Sequence, residues 1–177
     1  MIRAARIAAA VAVLALAGIL GWRVTHQDNG SADAILHDRV VRAPAFMLPR
    51  LTGSGKLSLA SFHGKAVVLN FWASDCIPCK KEMPQLEAAA QRWAPKGVAV
   101  VGIDPGFDSP AAARGFMHRH GITYPSVFDH YADVSTRYGV QFTPTTFFID
   151  RRGLIVKRIL GPMKDAVLDA QIRRIAS

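Results

Sequence analysis

Cysteine is nearly absent from this 177-residue chain, which holds only Cys76 and Cys79. That scarcity excludes a small domain stapled by a disulfide framework, which needs several well-spaced bridges. A single bridge across so short a loop removes little entropy from the unfolded chain, so the pair is not there for stability. A structural zinc centre needs a second pair of ligands, and the six histidines offer no well-spaced one; His118 and His120 are two apart and point to different sides of a helix. Lys80 rather than histidine follows the second cysteine, which excludes covalent haem attachment. Acidic residues are few, 13 against 22 Lys and Arg. The cations are nevertheless scattered singly or in twos, with no exposed aromatics interleaved, so nothing marks a nucleic-acid surface. Internal repeats and low-complexity tracts are missing as well.

Long apolar runs are also rare, with one exception at the N-terminus. After Met1-Ile2-Arg3-Ala4-Ala5-Arg6 the chain is uncharged and apolar from Ile7 to Trp22, and Arg23 follows. A cationic start before an apolar run is an export signal. The window 4–24 is long enough to cross a ~30 Å hydrocarbon core at about 1.5 Å per residue. Ala15-Leu16-Ala17 lies inside the run and Ala32-Asp33-Ala34 well beyond it, so neither suits a signal peptidase. An uncleaved anchor over 1–25 is the expectation, with a cleaved signal as the alternative. No cysteine lies near the segment to accept a lipid, and Arg3 and Arg6 favour an exported C-terminal domain. A single-pass membrane protein with an exported C-terminal domain is therefore expected.

The stretch 26–43 is polar and aperiodic and reads as a tether, leaving 44–177 for one domain. Half of the chain is hydrophobic and a fifth charged, a globular balance. Residues 66–72 form a near-continuous apolar run with β-branched members, as a strand buried on both faces requires. Met83, Leu86, Ala90 and Trp93 then recur at helical spacing, and 98–103 reads as a second buried strand. Two such strands with a helix between them lie parallel, with a right-handed crossover. A helix over 110–120, a short strand over 124–128 and a short helix over 132–138 follow. Residues 145–149 and 154–160 flank Asp150-Arg151-Arg152-Gly153 and predict a hairpin. An amphipathic helix carrying Leu168, Ile172 and Ile175 closes the chain. A parallel βαβ half followed by ββα is an α/β sandwich with a mixed central sheet.

Cys76-Ile77-Pro78-Cys79 falls just after a buried strand and at the head of a helix. Free amide N–H groups and the positive end of the helix dipole favour a thiolate there. Cys76 at the tip is the expected nucleophile, and Cys79, one turn in, the resolving thiol. Pro78 costs little in the first turn. Lys80 and Lys81 add positive charge; Asp75 works against the thiolate.

Phe71-Trp72-Ala73-Ser74-Asp75-Cys76-Ile77-Pro78-Cys79-Lys80-Lys81-Glu82-Met83-Pro84 resembles the active-site segment of the thioredoxin superfamily. Gly139-Val140-Gln141-Phe142-Thr143-Pro144-Thr145-Thr146-Phe147-Phe148-Ile149-Asp150 resembles its second signature. The resemblance implies a thioredoxin-like fold, a cis Pro144 facing the disulfide, and Thr143 offering backbone groups to a substrate strand. Trp72 and Pro78 join these as supporting residues. Together with the exported setting, the chain over roughly 44–175 resembles the membrane-anchored TlpA/ResA/CcmG reductases. That subgroup implies a bacterial inner-membrane, single-pass protein with its domain in the periplasm (soluble there if the signal is cleaved). It also implies substrate proteins with disulfides, a membrane electron donor of the DsbD/CcdA type, work in cytochrome c or copper-site maturation, and no cofactor or metal beyond the Cys76–Cys79 disulfide. Four positions depart from the pattern. Asn70 stands where thioredoxin has a buried aspartate, so the Cys79 proton must leave another way, through water or Glu82. Ile77 replaces a glutamate, Asp75 a tryptophan, and Thr145 a glutamate frequent in cytochrome-maturation members.

Two other readings stay open. Cu(I) capture would use both thiolates with Met83 or Met163, since soft ligands select that ion. Peroxide reduction would follow a likeness to peroxiredoxin-like chains, which place Thr or Ser where this chain has Ala73.

Overall fold

The computed structural model describes residues 39–177, together with Ala32 and Ile35. The expected anchor over 1–25 lies outside the described residues, as does most of the tether. Among the described residues no helix is long and apolar enough to cross a membrane.

From residue 39 onward, eight strands and four α-helices follow in chain order. The strands are β1 (Val41–Arg42), β2 (Met47–Pro49), β3 (Lys56–Ser58), β4 (Ala66–Phe71), β5 (Val98–Asp104), β6 (Ser126–Phe128), β7 (Thr145–Ile149) and β8 (Leu154–Leu160). The helices are α1 (Ile77–Trp93), α2 (Pro110–Arg119), α3 (Asp133–Arg137) and α4 (Asp165–Ala176). Six strands form one sheet in the order β1-β8-β7-β4-β5-β6, and β2 pairs with β3 in a separate ribbon. β4, β5 and β6 run parallel, whereas β7 is antiparallel to β4 and β8 to β7. The mixed sheet expected from the βαβ and ββα halves is present.

Every residue of β4 is buried, which explains why its sequence does not alternate: helices cover one face and α3 with the β2–β3 ribbon the other. Val68, Val100 and Phe148 pack with Met83 and Leu86 of α1, Phe116 of α2, and Leu168, Ile172 and Ile175 of α4. On the opposite face Val67, Leu69, Phe71, Val101 and Phe147 meet Val134 and Tyr138 from the α3 region, and Phe46 and Leu57 from the ribbon. The three residues singled out in the last helix are its buried ones.

The chain begins its structure earlier than the tether boundary at 43 suggests. Val41 and Arg42 pair with Ile155 and Leu154, and Ala43 and Ile35 are buried. A two-residue edge strand is too short to show a period, so its polar setting reads as linker.

Because β4 and β5 point the same way, the loops after them emerge at one end of the sheet. Trp72 N–H donates to Ile103 O at 3.0 Å and ties the two strand ends together. β7 starts at that same end, with Thr145 opposite Phe71. The cysteine segment and Pro144 are thereby delivered to neighbouring positions by the sheet register.

Candidate active site

Cys76 is the N-cap of α1. Its backbone is extended (φ −73°, ψ 102°), and its Sγ accepts the Cys79 N–H at 3.2 Å. That contact satisfies one of the amide groups that every helix start leaves open. Pro78 lies in the first turn, where its missing N–H deprives no helical bond. Cys76 and Cys79 form a disulfide. Cys76 is half-buried, whereas Cys79 is 0% exposed. Ile77 between them is 67% exposed, and Phe142, on the strand of chain leading to Pro144, is 46% exposed.

Trp72 is fully buried and stacks on Phe116 with ring centroids 5.3 Å apart. Its place requires Gly102: a Cβ there would collide with Trp72 Nε1 and Ser126 Oγ. The Thr143–Pro144 peptide is cis. Pro144 is buried and its carbonyl accepts Gly161 N–H at 2.9 Å, while Thr143 is half-buried. Thr145 Oγ1 donates to Phe142 O at 2.8 Å and closes the turn.

Glu82 is one helical turn beyond Cys79 on the same side of α1 and only 1% exposed. Met163 N–H donates to its Oε1 at 3.2 Å, and Asn70 Nδ2 donates to its Oε2 at 3.4 Å. Burial outweighs these bonds and pushes its carboxyl up to about 7. Asn70 also donates to Thr146 Oγ1 at 2.9 Å. The polar group beneath the disulfide is thus an amide that orients and an acid that titrates near neutrality. Met83 and Met163 are buried in the cluster that contains Cys79. Among the described residues no three His, Cys, Asp or Glu side chains gather as metal ligands.

Two acids that the sequence did not single out lie beside the cysteine loop. Asp104 ends β5 fully buried, and Asp108 Oδ2 accepts the Ser74 N–H at 2.8 Å. Their only sequence signal was position: the carboxyl end of a parallel strand is where α/β sheets place functional side chains. Glu87, further along α1, accepts from Thr123, Tyr124 and Gln91 and is held below its ordinary value despite burial. It fastens the 123–124 turn to the helix.

The comparisons agree with this site. Residues 41–158 match the AhpC/TSA family. Thiol-disulfide oxidoreductase ResA from Bacillus subtilis (strain 168) is 36% identical over 126 residues, 71% of this chain and 69% of that protein. Its namesake from Bacillus anthracis is 33% identical over 75% of this chain and 76% of that protein. The crystal structure of a thioredoxin-family thiol:disulfide interchange protein from Chlorobium tepidum TLS superposes with a TM-score of 0.71 at 30% identity, covering 78% of this chain and 98% of that one. With a Cys-x-x-Cys disulfide at a helix head on a thioredoxin-like sheet, the chain belongs to the AhpC/TSA family and, within it, to the ResA-type thiol–disulfide oxidoreductases.

Proposed function

We propose that the protein is a periplasmic, membrane-tethered reductase of protein disulfides. The observation that carries this reading is the unequal exposure of the two sulfurs at the head of α1. In the reduced enzyme Cys76 attacks one sulfur of a substrate disulfide, the other leaves as a thiolate and takes a proton, and a mixed disulfide remains. Cys79 then loses its proton, with Glu82 as the acceptor, directly or through water, and attacks Cys76 Sγ. The second substrate thiol leaves and the Cys76–Cys79 disulfide forms. Substrate gains two electrons and two protons; the enzyme must regain them from a membrane donor of the DsbD/CcdA type. Thr143 and Pro144 offer the edge along which an extended substrate lies, Trp72 supports the loop, and Pro78 shapes the helix head.

The tether reading fits the topology. β1, the first strand among the described residues, pairs with the start of β8, at the end of the sheet away from Cys76. A domain held there presents its disulfide outward, away from the bilayer. Substrates in cytochrome c or copper-site maturation suit such a position, although Thr145 gives no special support to a cytochrome partner. Peroxide reduction is disfavoured by Ala73, which has no hydroxyl to offer at that position.

The test is the reduction potential of the Cys76/Cys79 couple in defined thiol–disulfide buffers, read by Trp72 fluorescence. Ile77-Pro78 lacks the histidine of strongly oxidising pairs, so a value below about −230 mV is expected. A value of about −120 to −180 mV would mark an oxidase or isomerase and overturn the direction of electron flow.

A further inference from the structure

Asp104 and Asp108 present a problem in hydrogen-bond accounting. Asp104 Oδ1 accepts Gly106 N–H at 2.9 Å, and Asp108 Oδ2 accepts Ser74 N–H at 2.8 Å. The oxygen that each leaves over, Asp104 Oδ2 and Asp108 Oδ1, is buried and meets no donor. The two side chains lie within hydrogen-bonding reach of each other. Two ionised carboxylates have only acceptors to offer, so the arrangement is satisfied only when one carries a proton. The surroundings hold the pair together: Asp129 N–H donates to Asp104 O at 2.8 Å. Gly106 (φ +78°) packs so closely on the Asp129 and His130 carbonyls that no Cβ would fit.

We propose that Asp104 and Asp108 share one proton, and that the shared proton positions Cys76 by holding Asp108 on the amide of the cysteine turn. Ser74 lies inside the turn closed by the Cys76 N–H donating to Ala73 O at 3.2 Å. Asp108 grips that turn from the loop after β5, and protonated Asp104 is the donor that keeps Asp108 in place. The proton resides on Asp104, whose carboxyl burial and the Asp108 neighbour push up to about 8, while Asp108 is held below the usual carboxylate range. The other ionisable groups facing the pair are Asp75, whose charge raises Asp104 further, and Asp129, whose carboxylate is occupied by Val134 N–H and by Ser135. His130 approaches through its backbone and turns its ring to Phe128 and Tyr131. When Asp104 ionises, two negative charges meet in a buried contact beside Cys76; the turn loosens and the thiolate is disfavoured.

The proposal rests on Cys76 being the attacking sulfur but not on the direction of electron flow. Its test therefore reads thiol reactivity, whereas the reductase reading is tested by potential. Alkylation of Cys76 in the reduced full-length chain is followed by mass spectrometry at pH 6.5 and pH 9 for wild type and Asp104→Asn. The asparagine keeps a donor toward Asp108 but does not titrate. Equal rates at pH 6.5, with wild type about threefold slower than the variant at pH 9, are expected. Equal rates at both pH values, or the same difference at both, overturn the shared proton. Should Asp104→Asn not fold, the infrared spectrum of Glu82→Gln, which removes the other carboxyl that burial pushes up, must still show a protonated carboxyl at pH 7 that ionises near pH 8. Its absence overturns the proposal equally.

Discussion

The two ends of the central sheet are built from opposite chemistry. Where β4 and β5 finish, acids are withdrawn from water beneath an exposed rim of Asp75, Lys80 and Lys81: Glu82 and Asp104 are buried and Asp108 half-buried. Where those strands begin, the polar side chains are exposed cations, among them Lys65, Lys96, Arg151, Arg152, Arg173 and Arg174. Arg151 alone donates to Gly64 O, Lys96 O and Ala176 O, at 3.3, 3.0 and 3.1 Å. Cations there meet carbonyls at the ends of helices and turns, which is the favourable sense of the helix dipole. Burying a carboxyl whose bonds do not offset its desolvation, as at Glu82 and Asp104, runs against stability, and such groups gather where protons change hands. The chemical end is the costly one and the far end secures the fold.

Changes at the sulfurs should break that comparison most strongly. Cys79→Ser leaves Cys76 able to attack but removes the group that releases product. Turnover should fall by about a thousandfold or more, with enzyme–substrate mixed disulfide accumulating on non-reducing gels. Free release of reduced substrate from this variant would show that Cys79 is not the resolving thiol.

Glu82→Gln comes next and measures what the buried acid costs. Below about pH 4.5 Glu82 is protonated in folded and unfolded chains alike, so the substitution should be nearly neutral. Between its ordinary value of 4.5 and the folded value of about 7 the unfolded chain releases its proton first, and stability drains away. Above pH 7 the penalty is constant, and the variant should be more stable than wild type by roughly 2–3 kcal/mol. Asn70 Oδ1, buried without a partner, can accept the new amide after a flip of the Asn70 side chain. Urea unfolding from pH 4 to pH 8 checks this; a difference that does not grow with pH would deny Glu82 its raised value.

Arg151→Ala has the smallest expected effect and acts on the other end. Losing three hydrogen bonds to backbone carbonyls should cost about 1–2 kcal/mol, because the side chain is exposed and water replaces part of what is lost. The potential of the cysteine pair should not move. A shift of that potential would mean that the two ends are not independent.

Much of this was legible in the sequence because burial writes a pattern. The unbroken apolar run of β4, the spacing of Met83 and Leu86 in α1, and Leu168, Ile172 and Ile175 in α4 announce their elements directly. The β2–β3 ribbon was not legible: its strands are three residues each, and Met47 and Pro49 face water. The cysteine segment declared itself by local chemistry, and Glu82 entered as one route for the Cys79 proton once Asn70 was seen to replace a titratable aspartate. Asp104 and Asp108 did not. An aspartate followed by Pro105 and Gly106 reads as a turn, and only packing against Ser74 and against each other gives the two carboxyls a shared role.

Ile77 has a consequence of a different kind. Placed between the two sulfurs and turned to solvent, it cannot be avoided by any partner whose sulfur reaches Cys76. Forming the mixed disulfide therefore releases water from apolar surface, and the encounter carries a negative heat-capacity change. Recognition drawn from that source is uncharged, so it is little affected by ionic strength, whereas attraction to Lys80 and Lys81 beside it is screened by salt. An isoleucine at this position therefore keeps the grip on the substrate steady as the salt concentration changes.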